Sequence, residues 1–328
     1  MKRVSRRIGM RLSARLAGLV LMVFATAAQA QSWPSRPITL VVPYPPGASS
    51  DLAGRIMADR IAAATGQTVV VENKAGAGGS IGSAAVSAAA PDGYTLLLGN
   101  NASTVIYTVM SKTPRYNALR DFTPIAQLAR SDQYIGVNAD LPVKTLQDLI
   151  ALAKSQPGKL NFGSAGLGSA GHFSGEQFKL QTGTDLFHVP YRGSAAALTD
   201  LIAGRVQVMF DPVVVTQKDA GVRVLASSGT ERSKTTPDVP TTAESGLPDY
   251  TSSGFFGLFG PPGLPKEITD RLAAIIVEAA ADPKIQDILV KAGLAAEGLG
   301  TEAFIARIKA ADAQYRDIKE RSKIPDAD

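Results

Sequence analysis

The sequence predicts an α/β protein of two lobes, each a mainly parallel sheet flanked by helices. Two observations support this prediction. Short apolar segments rich in β-branched residues alternate with amphipathic helical segments along most of the chain, which is the order that parallel sheets require. The same order begins again after Asp140-Leu141-Pro142, and a chain of 328 residues is long enough for about two domains.

The first unit starts with a β-branched strand at residues 38–42, which Pro43 ends. A helix with apolar residues at helical spacing from Leu52 to Ile61 follows, and Gly66 ends it. The remaining elements of this unit are a strand at 68–71, a helix at 80–90 and a strand at 94–98. This βαβαβ order predicts parallel strands with helices on both faces.

The second unit repeats the order with elements of similar length. Its helices are predicted at 145–155, 172–181 and 195–202, and its strands at 159–162, 186–189 and 206–210. Two further strands and two amphipathic helices complete the chain, at 222–226, 255–259, 265–292 and 301–321. With two chain crossings between the units, we expect lobe 1 to hold residues 31–128 plus 225–328, and lobe 2 to hold residues 129–224.

The first thirty residues have the three parts of a secretory signal peptide. A basic start is followed by an uncharged apolar run at residues 16–28, and Ala28-Gln29-Ala30 provides the small residues of a cleavage site. The apolar run is shorter than the roughly 20 residues of a spanning helix, which argues against a membrane anchor. We expect export to the periplasm with cleavage after Ala30. The general secretory route is favoured over the twin-arginine route, for which Arg6-Arg7 is a weak signal.

Charge and residue usage exclude several classes of function. Six of the 34 Lys and Arg residues lie in the signal segment, which leaves 28 against 29 Asp and Glu in the mature chain. A chain with this balance has no overall attraction for nucleic acid, and beyond the signal it holds no apolar run that could embed it in a membrane. Because it has no cysteine and only two histidines, thiolate chemistry and most zinc sites are excluded, and no cofactor is expected.

Three glycine-rich turns, at residues 43–51, 72–80 and 163–171, each connect a predicted strand to a helix. Such turns gather at the carboxyl edge of a parallel sheet, where the free N–H groups and the dipole of the following helix favour an anion. Nearby hydroxyl groups can cap these helices or donate to a ligand, and they belong to Ser49, Ser50, Ser80, Ser164 and Ser169. Any single turn could be a tight capped loop, but three together predict an anion site.

Two enzyme motifs also occur in these turns. Residues 166–171 spell G-x-G-x-x-G, but the next strand ends Val189-Pro190-Tyr191-Arg192, without the carboxylate that a dinucleotide ribose needs. Residues 78–82 spell G-x-S-x-G, which leaves a serine hydrolase using Ser80 with a histidine as the alternative function. That motif follows the second strand, which is early for a hydrolase sheet, and Ser80 also suits a helix cap.

Three other polar residues lie at informative positions. His172, at the head of a helix, is expected to cap it or to face a ligand, whereas His188 is expected to be a hydrogen-bonded core residue. Asp211 ends a strand at the expected ligand edge, where it could contact a ligand or cap the next segment. A buried acid in the cleft would favour a neutral or cationic ligand, and Asp211 is the candidate for that second alternative.

Taken together, these segments resemble the Bug-type periplasmic solute receptors of tripartite tricarboxylate transporters. The similarity extends from about residue 33 to about residue 324 and includes Asp51, Arg55 and His172. The segments that carry it are Trp33-Pro34-x-Arg36-Pro37-Ile38, Val42-Pro43-Tyr44-Pro45-Pro46-Gly47, Glu72-Asn73-Lys74, Gly76-Ala77-Gly78-Gly79, Pro91-Asp92-Gly93-Tyr94, Gly163-Ser164-Ala165-Gly166, Val189-Pro190-Tyr191-Arg192-Gly193 and Phe256-Gly257-Leu258-Phe259.

The resemblance implies a two-lobe periplasmic binding protein with the Venus flytrap fold, and a receptor rather than an enzyme. Such receptors hold a small carboxylate between their lobes and deliver it to the membrane subunits of a transporter. By motif, the ligand contacts fall on Tyr44, Gly47, Ala48, Ser49, Gly78, Gly79, Ser164, Ala165, Ser169 and Asp211. We also expect a monomer.

One departure from the family pattern affects the ligand. The usual Pro-Pro-Gly-Gly is Pro45-Pro46-Gly47-Ala48 here, so a methyl group replaces a hydrogen near the anion. The expected ligand is therefore a mono-, di- or tricarboxylate, aliphatic or aromatic. No arginine lies within the glycine-rich turns, which agrees with recognition by backbone and hydroxyl groups instead of a bidentate arginine.

Overall fold

The computed structural model describes residues 33–218 and 220–327. The predicted signal peptide and its cleavage site after Ala30 lie outside these residues. Within the described ranges, no helix combines the length and the apolar character needed to cross a membrane.

The first sheet has six strands and forms the centre of lobe 1. Side by side they are β11 (Ala295–Leu299), β4 (Thr123–Asp132), β10 (Ser253–Gly260), β3 (Thr95–Asn100), β1 (Ile38–Val42) and β2 (Val69–Asn73). β1 is parallel to both β2 and β3, whereas β10 is antiparallel to β3 and β4, and β11 is antiparallel to β4. Because β1 and β2 are parallel neighbours, the turns that follow them leave the sheet at the same edge.

The second sheet has five strands and forms the centre of lobe 2. Side by side they are β7 (Leu186–Pro190), β6 (Leu160–Ser164), β8 (Val208–Phe210), β5 (Tyr134–Asn138) and β9 (Val222–Ser227). β6 is parallel to β7 and β8, and β5 is antiparallel to β8 and β9. Both sheets are therefore mixed, and the strands that precede the glycine-rich turns are the parallel ones.

Helices flank both sheets, as the alternating pattern predicts. They are α1 (Ser49–Thr65), α2 (Ser80–Ser87), α3 (Tyr107–Met110), α4 (Leu146–Ser155), α5 (Ala170–Thr182), α6 (Ser194–Ile202), α7 (Lys266–Ala281), α8 (Pro283–Lys291) and α9 (Thr301–Arg321). Short 3₁₀ turns cover Ala77–Gly79 and Pro212–Gln217, and a π-helical turn covers Ala102–Ile106. The single helix predicted at 265–292 is two helices, because Asp282 caps a new start at Pro283.

The strand period of two divides the lobe 1 core between two faces of the sheet. Leu40 and Leu96 pack on one face in a cluster with residues of α1 and α7, such as Met57. Val41 and Leu97 point to the other face, in a second cluster with Phe304 of α9. All six side chains are buried, and full burial of such a side chain contributes roughly 1.5–3 kcal/mol. The sheet is thereby held rigidly between helices, and its carboxyl edge carries the turns.

The chain passes between the lobes twice, and the two passages lie side by side. The first is at Gln133, between β4 and β5, and its N–H donates to the carbonyl of Ser252 at 3.1 Å, just before β10 returns to the first sheet. The N–H of Ser228 donates in turn to the carbonyl of Gln133 at 2.8 Å. Two adjacent connecting segments of this kind are typical of a hinge between two lobes.

The predicted lobe boundaries need correction at both passages. β4 continues in the first sheet to Asp132, so residues 129–132 belong to lobe 1. β9 pairs with β5 through Ser227, so residues 225–227 belong to lobe 2. The segment that follows β9 also packs on lobe 2, where Tyr250 lies in the cluster around Phe178 and Phe210. No helix forms between residue 225 and residue 253. The sequence therefore gives no clear signal for the point at which the chain returns to lobe 1.

The lobes also touch through two helices, α5 of lobe 2 and α9 of lobe 1. The rings of Phe173 and Tyr315 meet edge to face at a centroid distance of 4.9 Å. The side-chain amide of Gln314 donates to Gln177 at 3.1 Å and to the carbonyl of Thr251 at 2.9 Å. This contact brings the start of α5 close to lobe 1.

Candidate functional site

The turn after β1 is held by one buried carboxylate. Asp51 accepts hydrogen bonds from the Gly47 N–H at 3.0 Å, from Arg55 at 2.9 Å and from the Asn73 amide at 2.9 Å. The Asn73 amide also donates to the Tyr44 carbonyl at 3.0 Å. Gly47 has φ +86°, a conformation that glycine adopts without strain. Its N–H is directed at Asp51, so Gly47 shapes the turn and does not present its N–H to a ligand.

The hydrogen bond from Arg55, with further ones from Gly47 and Asn73, lowers the pKa of Asp51 to about 2, against the opposing effect of burial. A carboxyl whose pKa is lower in the folded state stabilises the fold above its unfolded pKa of about 4. That stabilisation is lost as the pH falls from about 4 towards 2. The same three contacts fix the shape of the turn.

We expect Asp51→Asn to lower the free energy of unfolding at pH 7 by about 1–2 kcal/mol, a value reduced because Arg55 is half exposed. The difference from the wild type should shrink at pH 3, where the native carboxylate begins to be protonated. Urea unfolding at both pH values measures this. Asp59→Asn is the matched control, because Asp59 is an exposed acid on the same helix. Equal behaviour of the two variants at both pH values would show that Asp51 does not hold the turn.

The turn after β2 approaches the first turn closely. Ala77, Gly78 and Gly79 have consecutive positive φ angles of 46°, 66° and 95°. A Cβ atom on Gly79 would lie 2.8 Å from Cβ of Ser103 and 3.2 Å from the hydroxyl of Tyr44, so only glycine fits there. Gly78 is exposed at the tip of the turn. The backbone of this turn is therefore open towards the space in front of the sheet.

Tyr44 is fixed by a residue that the sequence did not single out. Its hydroxyl donates to Oδ1 of Asn100 at 2.9 Å, and the same oxygen accepts the N–H of Ser103 at 2.9 Å. Burial raises the pKa of Tyr44, so the phenol stays neutral. Asn100 ends β3, the third parallel strand, and its position at a strand end was the signal that could have identified it.

Two helices begin at this edge without a side-chain cap. Ala48 precedes α1 and Gly79 precedes α2, and neither has a side chain that can accept a hydrogen bond from the first N–H groups of its helix. Of the other helices, α4, α5 and α8 are capped by Thr145, Ser169 and Asp282, whereas α6, α7 and α9 also begin without a side-chain cap. Ala48 and Ser49 are exposed. Because α1 and α2 follow adjacent parallel strands, two helix N-termini that have a partial positive charge and no side-chain cap meet at one edge. At the start of α2, the Ser80 N–H already donates to the Ala77 carbonyl in the preceding 3₁₀ turn.

The lobe 2 turn, residues 164–171, uses both of its predicted serine ligands internally. Ser164 is buried, accepts the Gly166 N–H at 3.1 Å and lies 2.7 Å from Nε2 of His188. Ser169 caps α5 by accepting the N–H of His172 at 3.2 Å. The N–H groups of Ala165 and Leu167 make no hydrogen bond within the described residues. These two N–H groups, and not the hydroxyls, are what this turn can present.

Asp211 has the capping role that the sequence left open. It accepts the Ser194 hydroxyl at 2.6 Å and the Val213 N–H at 2.9 Å, at the start of the 3₁₀ turn. Burial raises the pKa of Asp211. Each carboxylate oxygen already has one donor, so Asp211 stands as a half-buried, internally bonded acid at the edge of the second sheet.

The hydrolase alternative has no geometric support. Ser80 begins α2 in lobe 1, whereas the two histidines lie in lobe 2, next to Ser164 and Gly168. Ser164 and His188 do form a serine–histidine pair, but no carboxylate bonds to His188 within the described part of the chain. Among those residues there is also no cluster of His, Asp or Glu that could hold a metal ion.

Comparison with known proteins identifies the family. The model of the tripartite tricarboxylate transporter family receptor matches residues 53–309. The chain belongs to this family. It is 35% identical over 294 residues to the protein BugT of Bordetella pertussis, which covers 87% of this chain and 88% of BugT.

Two solved structures of similar receptors were determined with carboxylates. The R. palustris protein Rpa4515 with adipate is 32% identical, with a TM-score of 0.74 over 89% of this chain and 99% of that one. MatC of Rhodopseudomonas palustris with bound malate is 28% identical, with a TM-score of 0.70 over 87% of this chain and 99% of that one. The resemblance to Bug-type receptors and the two-lobe periplasmic binding protein fold are therefore confirmed, and the protein is a solute-binding receptor, not an enzyme.

Proposed function

We propose that this receptor captures a small organic carboxylate in the periplasm and delivers it to the membrane subunits of a tripartite tricarboxylate-type transporter. The observation that carries the proposal is the pair of uncapped helix N-termini, after Ala48 and Gly79, at one edge of the first sheet. Neighbouring receptors that hold adipate and malate support a carboxylate as the anion. Free N–H groups and helix dipoles bind an anion without any arginine.

The ligand would lie between the two lobes. Lobe 1 contributes the N–H groups at the start of α1 and the positive end of the α2 dipole, with Ser49, Gly78 and the neutral phenol of Tyr44 beside them. Lobe 2 contributes the free N–H groups of Ala165 and Leu167. Gly47, Gly79, Ser164 and Ser169 have supporting roles, because their hydrogen bonds or close contacts shape the turns.

A neutral or cationic ligand recognised by Asp211 is the weaker proposal. Both oxygens of Asp211 already accept hydrogen bonds within lobe 2, and burial favours its neutral form. The two donors already bound leave Asp211 better suited to shaping this edge of lobe 2 than to pairing with an ammonium group. We place Asp211 beside the far end of the ligand.

A thermal-shift screen of the mature protein tests the proposed function. The panel consists of succinate, malate, adipate, citrate and benzoate, which covers one to three carboxylates and both aliphatic and aromatic ligands. A ligand present at 100 times its Kd stabilises the fold by roughly 2.7 kcal/mol. We expect at least one carboxylate to raise the melting temperature. A panel without any shift, confirmed by calorimetry, would contradict a receptor for these carboxylates.

The location is tested by the start of the exported protein. Because Ala28 and Ala30 fit the small-residue positions of a cleavage site, the periplasmic form should begin at Gln31. The intact mass of the protein in the periplasmic fraction identifies its first residue directly. Recovery of the protein in the membrane fraction with residues 1–30 attached would argue for an anchored receptor instead.

A further inference from the structure

Two histidines lie directly beneath the lobe 2 turn. Nδ1 of His172 accepts the N–H of Gly168 at 3.1 Å, and Nε2 of His188 lies 2.7 Å from the Ser164 hydroxyl. The two imidazole rings stack on each other with a centroid distance of 3.9 Å and an interplanar angle of 15°. The ring of Phe162 in β6 stacks on His188 at 4.8 Å. A rigid column of rings therefore connects the strand to two points of the turn.

The contacts of this column alternate with the free N–H groups of the turn. Gly166 is bonded to Ser164, and Gly168 is bonded to His172. Ala165 precedes Gly166, and Leu167 lies between Gly166 and Gly168. The N–H groups of Ala165 and Leu167 are unpaired within the described residues. The bonds to Ser164 and His172 therefore occupy every second N–H group of this segment and leave the other two available to a ligand.

Gly168 also marks the place where this turn meets lobe 1. A Cβ atom on Gly168 would lie 3.0 Å from Cε of Met110 in α3, so the glycine is in close contact with the other lobe. Gly168 is buried and has φ +73°. A shift of Gly168 would therefore change the spacing between the lobes as well as the shape of the turn.

Burial favours the neutral rings that this arrangement needs. It lowers the pKa of His172 to about 3 and that of His188 to about 4, with a further lowering from Lys179 in α5. A neutral imidazole has an acceptor nitrogen, and Nδ1 of His172 must be that acceptor to receive the Gly168 N–H. If His172 were protonated, its Nδ1–H would face the N–H of Gly168, and two donors cannot form a hydrogen bond.

We infer that His172 and His188 are positioning residues, which do not touch the ligand but set the lobe 2 turn in its binding shape. The inference rests on the proposed function, because it assumes that the turn contacts the carboxylate. His172 fixes the position of Gly168 and thereby its contact with Met110. His188 fixes the Ser164 hydroxyl, which in turn holds the N–H of Gly166. Neither histidine serves as a base or as a metal ligand in this arrangement.

Paired substitutions separate positioning from packing. In His172→Asn the side-chain carbonyl stands where Nδ1 stood and can still accept the Gly168 N–H, whereas His172→Leu fills the space without an acceptor. In the same way, His188→Gln keeps a polar atom near Ser164 and His188→Leu does not. Calorimetry is done with the panel carboxylate that gives the largest thermal shift on the wild type.

We expect each leucine variant to bind that carboxylate about tenfold more weakly, as the loss of one hydrogen bond to a buried group predicts. The asparagine and glutamine variants should stay within about threefold of the wild type. If a leucine variant does not fold, His172→Gln or His188→Asn replaces it, because each misplaces the polar atom by one methylene group. Equal affinities of the matched and mismatched variants would overturn the inference.

Hydrogen exchange provides a second measurement that needs no ligand. The amide of Gly168 should exchange faster in His172→Leu than in His172→Asn, and unchanged protection in the leucine variant would also overturn the inference.

Failure of the proposed function and failure of the inference about the histidines give different results. A wild type that binds no panel carboxylate contradicts the proposed function, whereas a wild type that binds, with leucine variants that bind equally well, contradicts only the role of the histidines.

Discussion

Replacing Ala48 with aspartate should abolish carboxylate binding and leave the protein folded. Ala48 is exposed, has extended backbone angles and immediately precedes α1, whose N-terminus has no side-chain cap. An aspartate there would cap the helix and stabilise it by about 1 kcal/mol. The same carboxylate would occupy the N–H groups that we assign to the ligand and would repel an anion by between about 1 and 4 kcal/mol at 4 Å. Affinity should fall by about a hundredfold or more.

Ala48→Asn is the matched control for this substitution. Asparagine has nearly the same shape and also caps helices, but it carries no charge, so the difference between the two variants isolates the electrostatic part. We expect asparagine to weaken binding less than aspartate, and both variants to melt at or above the wild-type temperature. Wild-type affinity in a well-folded Ala48→Asp protein would place the anion site elsewhere.

The second large effect concerns the closing of the two lobes. The passages at Gln133 and Ser252 lie side by side, and unpaired N–H groups are present at the facing edges of both sheets. A ligand that bonds to both edges has higher affinity for the closed state and shifts the population towards it. We therefore expect solution scattering to show a smaller radius of gyration when a tight-binding carboxylate is added.

A bulky residue on the lobe 2 turn should prevent this compaction. Ser164 is unsuitable for the test because its side chain is buried against His188, whereas Leu167 is 43% exposed in the same turn. In Leu167→Trp we expect weak binding and no change in the radius of gyration. Ile288 in α8 has the same exposed fraction, so Ile288→Trp is the control and should close normally. Tight binding without compaction in the wild type would argue for a site preformed in one lobe.

The alternation of strands and helices was sufficient to predict the fold, and the exceptions have physical causes. Residues 255–259 were predicted as a strand, but nothing in the strand itself shows that β10 runs antiparallel between β3 and β4. The return to lobe 1 occurs at Ser252 and not near residue 225, because 25 residues of irregular chain after β9 stay packed on lobe 2 around Tyr250. The spacing of apolar residues does not show which of the two hydrophobic cores such a segment packs against.

The positions of the glycine-rich turns could be predicted, but the direction of each donor could not. Ser164 and Ser169 are ordinary candidates for ligand hydroxyls by residue type, yet both bond within lobe 2. The family resemblance predicts Gly47 as a ligand contact, but its N–H donates to Asp51 instead. The partners involved are between two and 24 residues apart in sequence, and residue type does not show which of them meet, so only the folded geometry shows which N–H groups remain free.

Calorimetric titration with a matched pair of compounds tests whether this receptor binds its ligand as an anion. The pair consists of the panel carboxylate with the largest thermal shift and its uncharged amide, which has nearly the same shape. If helix N-termini and backbone N–H groups bind an anion, the carboxylate should bind and the amide should bind at least about a hundredfold more weakly. Equal affinity for the amide and the carboxylate would contradict an anion site in this receptor.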